Sequence, residues 1–295
     1  MRLGIFGQAD SLYVRLLHEA AVARGHDVHV LSFQTIVAEV RAGQVQLSSE
    51  GIPLASLDAV IVRTMPPGSL EQVVARMDLL AGAEAAGVCV VNPPRALECA
   101  VDKYLTTQKL ALAGLPVPDT AVCESADAAI ELWEQLGRDV VVKPLFGAEG
   151  RGIVRVTDAE IAMRVFRTLE RIGAVLYLQK FLHGPRYDLR LLLLDGQLLG
   201  SMKRIPADGD FRANISCRGT GLPHEPTPSE FKLSIEAARV TGTVFAGVDL
   251  MYDAEGQARV IEVNAVPGWR GLQQACQVDV PERFLQWLEV RVASH

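Results

Sequence analysis

The sequence predicts an α/β protein: a small parallel sheet at its start, followed by a longer α+β region built largely on hairpins. Two observations lead there. Short apolar runs alternate with stretches of helical periodicity over residues 1–94. Later apolar runs are instead joined by tight-turn signals, Asp195-Gly196 and Asp253-Ala-Glu-Gly-Gln. With 295 residues, 49% hydrophobic and 22% charged, the chain has material for two or three globular domains.

The elements follow in order. Arg2 to Phe6 is a strand, Leu12 to Arg24 a helix ended by Gly25, and His26 to Leu31 a strand. Ala59 to Arg63 is a third strand, Leu70 to Gly87 a helix, and Val88 to Asn92 a fourth strand. Pro93 and Pro94 end it and mark a boundary. A single helix is expected from Ala96 to Ala113, closed by Gly114. Next come a strand at Thr120 to Cys123, a helix at Ala126 to Leu136 and the strand Val140 to Lys143. The strand Ile153 to Val156, a helix from Asp158 to Arg171 and the strand Val175 to Leu182 complete the middle of the chain. A hairpin about Asp195-Gly196 sets Asp188 opposite Lys203 and brings Arg190 and Arg204 into one neighbourhood.

Composition excludes several classes. A net charge of −6 with no long basic run argues against a nucleic-acid surface. No apolar run approaches a membrane span, and the start resembles a strand rather than a signal peptide. The scattered cysteines (Cys89, Cys99, Cys123, Cys217, Cys276) form no Cys-x-x-Cys pair, which suggests reduced thiols in a cytoplasm and no zinc site. Gly4 and Gly7 do not make a dinucleotide fingerprint.

The chemistry is concentrated near the end. On the strand around Val260-Ile-Glu-Val-Asn, Glu262 and Asn264 share one face. A hairpin about the Asp253 turn places Asp249 roughly opposite Glu262. Two carboxylates and an amide oxygen in apolar strands call for a cation, and such hard ligands suit magnesium held with nucleotide phosphates. The plainer alternative is a set of solvated polar residues at strand ends. Lys143 closes an apolar strand, where a desolvated ammonium needs an anionic partner. The glycines that follow, Gly147, Gly150 and Gly152, permit a loop whose amides approach phosphate oxygens, or a simple turn. Arg212 and Asn214 carry a cation and an amide on a loop, either to stabilise charge on a transferring group or as a solvated basic segment. Arg63 lies at the carboxyl end of a parallel strand, the usual ligand edge, or pairs with a nearby carboxylate.

Taken in order, Asp102-Lys103, Val141-Val-Lys143, Gly147 to Gly152, Gln179-Lys-Phe-Leu, Asp188-Leu-Arg190, Gly209-Asp-Phe-Arg-x-Asn214, Gly247-Val-Asp249 and Glu262-Val-Asn264-x-x-Pro-Gly268 resemble the ATP-grasp ligases, most closely their RimK-like glutamate-ligase branch. The resemblance implies a two-lobed α+β ATP-grasp fold after the N-terminal α/β domain, with lobes at 95–182 and 183–295. It implies ATP on Lys103 and Lys143 under the glycine loop. Adenine would lie against main-chain groups of Gln179, Lys180, Phe181 and Leu182, with Asp188 near the ribose. Asp249, Glu262 and Asn264 would hold Mg²⁺, or Mn²⁺ in its place, and Arg204, Arg212 and Asn214 would meet the reacting groups. The implied reaction joins an amine to a carboxylate through an acyl-phosphate, releasing ADP; an ATP sensor of the same fold is the alternative. Lys180 stands where the family usually has Glu, so a glutamate contact there is lost.

After Gly268 come Trp269 and Arg270, a flat ring and a carboxylate partner that suit a pterin-like acceptor with an acidic tail as well as a protein terminus. Trp269 is alternatively a packing residue. The pattern is similar to glutamate ligases that act on tetrahydromethanopterin-like coenzymes. Arg63 would be a second acceptor contact. The expected partners are small molecules, with a homo-oligomer as a further possibility.

Overall fold

The computed structural model describes residues 1–147, 151–208 and 219–294. Its first sheet is parallel, in the order β2-β1-β6-β7, from β1 (Arg2–Phe6), β2 (Asp27–Leu31), β6 (Ala59–Val62) and β7 (Cys89–Val91). Helices α1 (Leu12–Ala23) and α2 (Leu70–Ala85) make the crossovers, and Ser69 with Gln72 forms a capping box that starts α2. Between β2 and β6 lies a small antiparallel sheet, β3 (Val37–Arg41), β4 (Gln44–Ser49) and β5 (Ile52–Pro53). Sequence gives little sign of it, because its outer positions carry exposed valines beside charged residues rather than a clean alternation.

The expected single helix at 96–113 is two helices, α3 (Pro94–Val101) and α4 (Lys103–Leu112). Asp102 adopts an extended backbone between them, and its carboxylate accepts from the Leu105 amide at 2.9 Å. That N-cap starts a new helix. It makes Lys103 the first residue of α4, a position where the helix dipole disfavours a cation.

The second sheet is antiparallel, in the order β10-β9-β11-β8, from β8 (Thr120–Cys123), β9 (Val140–Lys143), β10 (Val154–Val156) and β11 (Leu176–Lys180). It buries one face against α5 (Ala126–Gln135) and α6 (Ala159–Arg171), where Trp133, Phe166 and Leu176 pack together. The third sheet, in the order β14-β13-β12-β15-β16, is also antiparallel. It contains β12 (Asp188–Leu194), β13 (Gln197–Ile205), β14 (Thr220–Pro223), β15 (Phe245–Tyr252) and β16 (Ala258–Asn264). Helix α7 (Pro228–Thr241) covers one face of this sheet. Helices α8 (Arg270–Cys276) and α9 (Val280–Ala293) share a core with β1, α1 and β13.

Two registers matter for function. Asp249 does lie opposite Glu262. Asp188, in contrast, pairs with Arg204 rather than Lys203. The register slips between Leu192 and Leu193, so one extra residue of β13 enters the ladder.

Asn92 joins the first sheet to the third. It is almost fully buried, and its amide nitrogen donates to the carbonyls of Phe245 (2.7 Å) and Ala265 (2.5 Å). Its oxygen accepts from the amides of Val244 and Phe245 at 2.7 and 2.8 Å. All four hydrogen-bonding positions of the side chain are thus filled by backbone of the other sheet.

Candidate active site

Lys103 and Lys143 arrive from different elements and face one carboxylate. Lys103 donates to the Gly147 carbonyl at 2.7 Å. Burial lowers its pKa, partly offset by Glu262 and Asp102. Lys143 donates to Gln179 Oε1 at 2.6 Å. Burial lowers its pKa to about 8, against the opposing pull of Glu262. Lys103 lowers it further and Asp249 raises it. The two ammonium groups and the two carboxylates therefore share one cleft. Lys143 lacks a direct carboxylate partner among the described residues, which leaves a positive site suited to phosphate.

Across the cleft, the third sheet presents charges that neutralise each other. Arg190 grips both oxygens of Asp249, its Nη2 at 2.8 Å from Oδ2. Arg204 donates to Asp188 at 2.5 and 2.8 Å and lies 2.8 Å from Asp249 Oδ2. Burial opposes the charge on Asp249, yet Arg190 and Arg204 outweigh it and hold the carboxyl below the usual range. Burial also opposes the charge on Arg204, and Asp249 and Asp188 overcome it. Gly247 makes this possible: a Cβ there would stand 2.6 Å from Arg190 Nη1 and 2.9 Å from Pro267 Cβ. Asp188, expected near the ribose, is 6% exposed and pairs with Arg204 within the sheet.

Glu262 and Asn264 have oxygens open to a hard divalent ion, whereas both oxygens of Asp249 are held by Arg190 and Arg204 and would have to be shared with it. Asp249 and Glu262 are cross-strand partners, and Asn264 stands two residues beyond Glu262. The Asn264 amide nitrogen makes only a long 3.4 Å bond to the Gly247 carbonyl, leaving its oxygen available as a ligand. Among the described residues no group of three His, Cys, Asp or Glu side chains could hold a metal, so the set needs the Asn264 oxygen.

The segment expected to face adenine, Gln179 to Leu182, is partly committed. The amides of Lys180 and Phe181 donate to Asp119 O (2.8 Å) and Asp139 O (3.0 Å), while that of Leu182 has no partner among the described residues. The Phe181 ring lies 3.5 Å from the Arg155 guanidinium, which Asp139 holds with bonds of 2.8 and 2.6 Å. The Lys180 ammonium is exposed and 3.4 Å from Asp119. Gly147 and Gly152 both take positive φ. Gly150, Arg212 and Asn214 lie outside the described residues, as does Cys217. The other four cysteines are free.

The acceptor expectations divide. Trp269 is corrected to a packing residue, 1% exposed and joined to the core of Phe245, Leu272 and Phe284. Tyr13 meets it edge-on at 4.6 Å, and the Arg63 guanidinium lies over its ring at 4.4 Å, so no face is open for a ligand to stack on. Arg270 is exposed at the start of α8. Arg63 itself is buried, with one hydrogen bond to the Pro267 carbonyl at 2.9 Å and no partner on Nε. Burial lowers its pKa to about 10, so it remains charged at neutral pH. Sequence reasoning missed Asn92, Tyr177 and Thr107. Only the asparagine carried a signal, its place beside two prolines, which marked a boundary rather than a clamp.

Comparisons with known proteins give the family and the fold. The RimK-like ATP-grasp domain family matches residues 100–288, and the RimK PreATP-grasp domain family matches residues 1–97. A tetrahydromethanopterin:alpha-L-glutamate ligase of Methanosarcina acetivorans is 32% identical, over 87% of this chain and 91% of that one. A probable alpha-L-glutamate ligase of Stenotrophomonas maltophilia is 31% identical over 98% of both chains. Among solved structures, the ATP-grasp ligase PsnB complexed with minimal precursor superposes with a TM-score of 0.78 at 23% identity, over 98% of each chain. A RimK domain ATP-grasp protein of Sphaerobacter thermophilus gives 0.72, also at 23%, over 97% of this chain and 99% of that one. Among the described residues no helix is long and apolar enough to cross a membrane. Motif order, lysine cleft and two matching domain families lead to one conclusion: the chain belongs to the RimK-like ATP-grasp family of ADP-forming carbon–nitrogen ligases.

Proposed function

We propose that this enzyme adds L-glutamate to the carboxylate of a small cofactor or of a protein terminus, using ATP and Mg²⁺. The convergence of Lys103, Lys143 and Glu262 on one cleft carries the reading. Lys103 and Lys143 hold ATP phosphates, and Asp249, Glu262 and Asn264 hold the metal, for which manganese also serves. The metal supplies further neutralisation of the transferring phosphoryl group. A free carboxylate is a poor acyl donor, and taking the γ-phosphoryl group gives its carbonyl a leaving group. The glutamate amine then attacks that carbonyl, phosphate departs, and the amide remains. In this reading the chain's own residues orient the partners and offset negative charge. Arg204, Arg212 and Asn214 serve the reacting groups, and Gly150 the phosphate loop. Arg63, a buried cation without a carboxylate, supports a role as anchor for an acidic group of the acceptor. Burial of Trp269 removes the stacking argument for a pterin ring, so the acceptor is recognised here by its acid alone.

Purified protein incubated with ATP, Mg²⁺, isotope-labelled glutamate and cell extract tests the proposal. Label in a small acidic compound supports cofactor glutamylation, and label on a protein terminus supports protein modification. ATP binding without ADP release or label would leave the ATP sensor. Arg63→Met should raise acceptor KM while sparing KM for ATP; the opposite pattern removes the anchor role.

A further inference from the structure

The side chain of Gln179 leads into a chain of hydrogen bonds whose direction is fixed from both ends. Thr120 Oγ1 donates its one proton to the Pro118 carbonyl at 2.9 Å, so it can only accept from Gln179 Nε2, 3.1 Å away. Thr107 Oγ1 spends its proton on the Lys103 carbonyl at 2.7 Å, four residues back on α4. It must therefore accept from the Tyr177 hydroxyl, 3.0 Å away. With its proton used, Tyr177 Oη accepts from Gln179 Nε2 at 3.1 Å. Burial raises the Tyr177 pKa, consistent with a phenol that keeps its proton. Both protons of the Gln179 amide thus have acceptors, and its oxygen must face Lys143 Nζ at 2.6 Å.

We infer that Tyr177, Thr107 and Gln179 are positioning residues that aim the Lys143 ammonium at nucleotide phosphate and tie it to the backbone of Lys103. The strand geometry explains why they meet. Tyr177 is the cross-strand partner of Lys143, and Gln179 lies two residues further along the same face of β11. Gln179 supplies a neutral acceptor. A carboxylate in its place would hold Lys143 more tightly but would compete with phosphate for the charge. The two lysines, on α4 and β9, keep a fixed spacing because one unbroken set of bonds runs from Lys103 C=O to Lys143 Nζ.

This inference rests on the assignment of Lys143 to phosphate, and a titration of ATP and of adenosine separates the two. Lys143→Met should weaken ATP binding and leave adenosine binding unchanged; if it leaves ATP binding intact, the phosphate assignment itself fails. Given that loss, Tyr177→Phe and Gln179→Met should each weaken ATP binding about fivefold, the size of one hydrogen bond, without affecting adenosine. The double variant should bind ATP no worse than Gln179→Met alone, because Tyr177 acts through Gln179. Thr107→Ser should behave as wild type and Thr107→Val as Tyr177→Phe. Wild-type ATP affinity in Tyr177→Phe, or additive losses in the double variant, would overturn the positioning role while leaving Lys143 in place. Equal losses for ATP and adenosine would mark the network as purely structural and overturn it as well.

Discussion

The second and third sheets each bring a cation to the cleft, half-buried Lys143 and buried Arg204, and they treat it in opposite ways. Arg204 lies between Asp188 and Asp249, with Arg190 completing a balanced set of two cations and two anions. Lys143 has, among the described residues, a single neutral acceptor, Gln179. In the first arrangement every charge has a counter-charge within the sheet, so the roles proposed for Asp249 and Arg204 are played by groups that are already paired. The second has no direct carboxylate contact among the described residues, and the proposed phosphate role of Lys143 rests on that difference. The same contrast separates stability from function: removing a member of the balanced set should damage the fold, and removing the unbalanced lysine should damage binding.

The largest effect is expected where compensation is broken. Asp249→Asn leaves Arg190 without its carboxylate and should cost about 3–5 kcal/mol in denaturant unfolding, together with ligation activity. A loss below about 1 kcal/mol would mean that the arginines find other partners. Next, Lys143→Met should lower ATP affinity about 10–100-fold, the worth of a charge-assisted hydrogen bond or two, while unfolding stability stays level or rises. A destabilised Lys143→Met would remove the contrast between the sheets.

Acidity sharpens the comparison further. Glu262, Asp249 and Lys103 face Lys143, yet burial still holds its pKa near 8 against an ordinary value of 10.5. The unfolded chain therefore binds more protons between those two pH values, and stability rises with pH across them. The burial penalty is fully present below about pH 8, so the stability gap between wild type and Lys143→Met should narrow as pH rises from about 8 toward 10.5. Over the same range ATP affinity of the wild type should fall, because the ammonium is lost. A flat affinity profile would contradict a half-buried, functional Lys143. The smallest effect belongs to a third cation of the same sheet. Lys180 is exposed and only loosely near Asp119, so Lys180→Glu should shift unfolding stability by less than about 0.5 kcal/mol.

Local signals carried much of this architecture. The alternation around β1, α1 and β2 is visible in apolar spacing, and the Asp253 turn brings Asp249 near Glu262, with a register shift between Leu250 and Asp249 completing that pair. The hairpin at Asp195-Gly196 misled by one residue, since a bulge depends on packing and leaves no composition mark. The break at Asp102 was hidden because apolar positions continue on both sides of it, and only the capping carboxylate reveals a second helix. Of the candidate site, Lys103, Lys143, Asp249, Glu262 and Asn264 were legible from motif order. Burial of Trp269 depends on Tyr13 and Phe245, which are remote in sequence and could not be paired with it in advance. The Thr107–Tyr177–Gln179 chain spans a helix and a strand some seventy positions apart, with no motif to announce it.

The clamp at Asn92 bears on how the cleft is held together. Four hydrogen bonds from one buried amide bind the end of β7 to the start of β15 and to Ala265, just past the end of β16. These bonds hold the parallel sheet, with Arg63 at the end of β6, against the strands that carry Asp249 and Glu262. The second sheet, which carries Lys143, has no share in this clamp, so the position of Lys143 relative to Arg63 depends on other contacts.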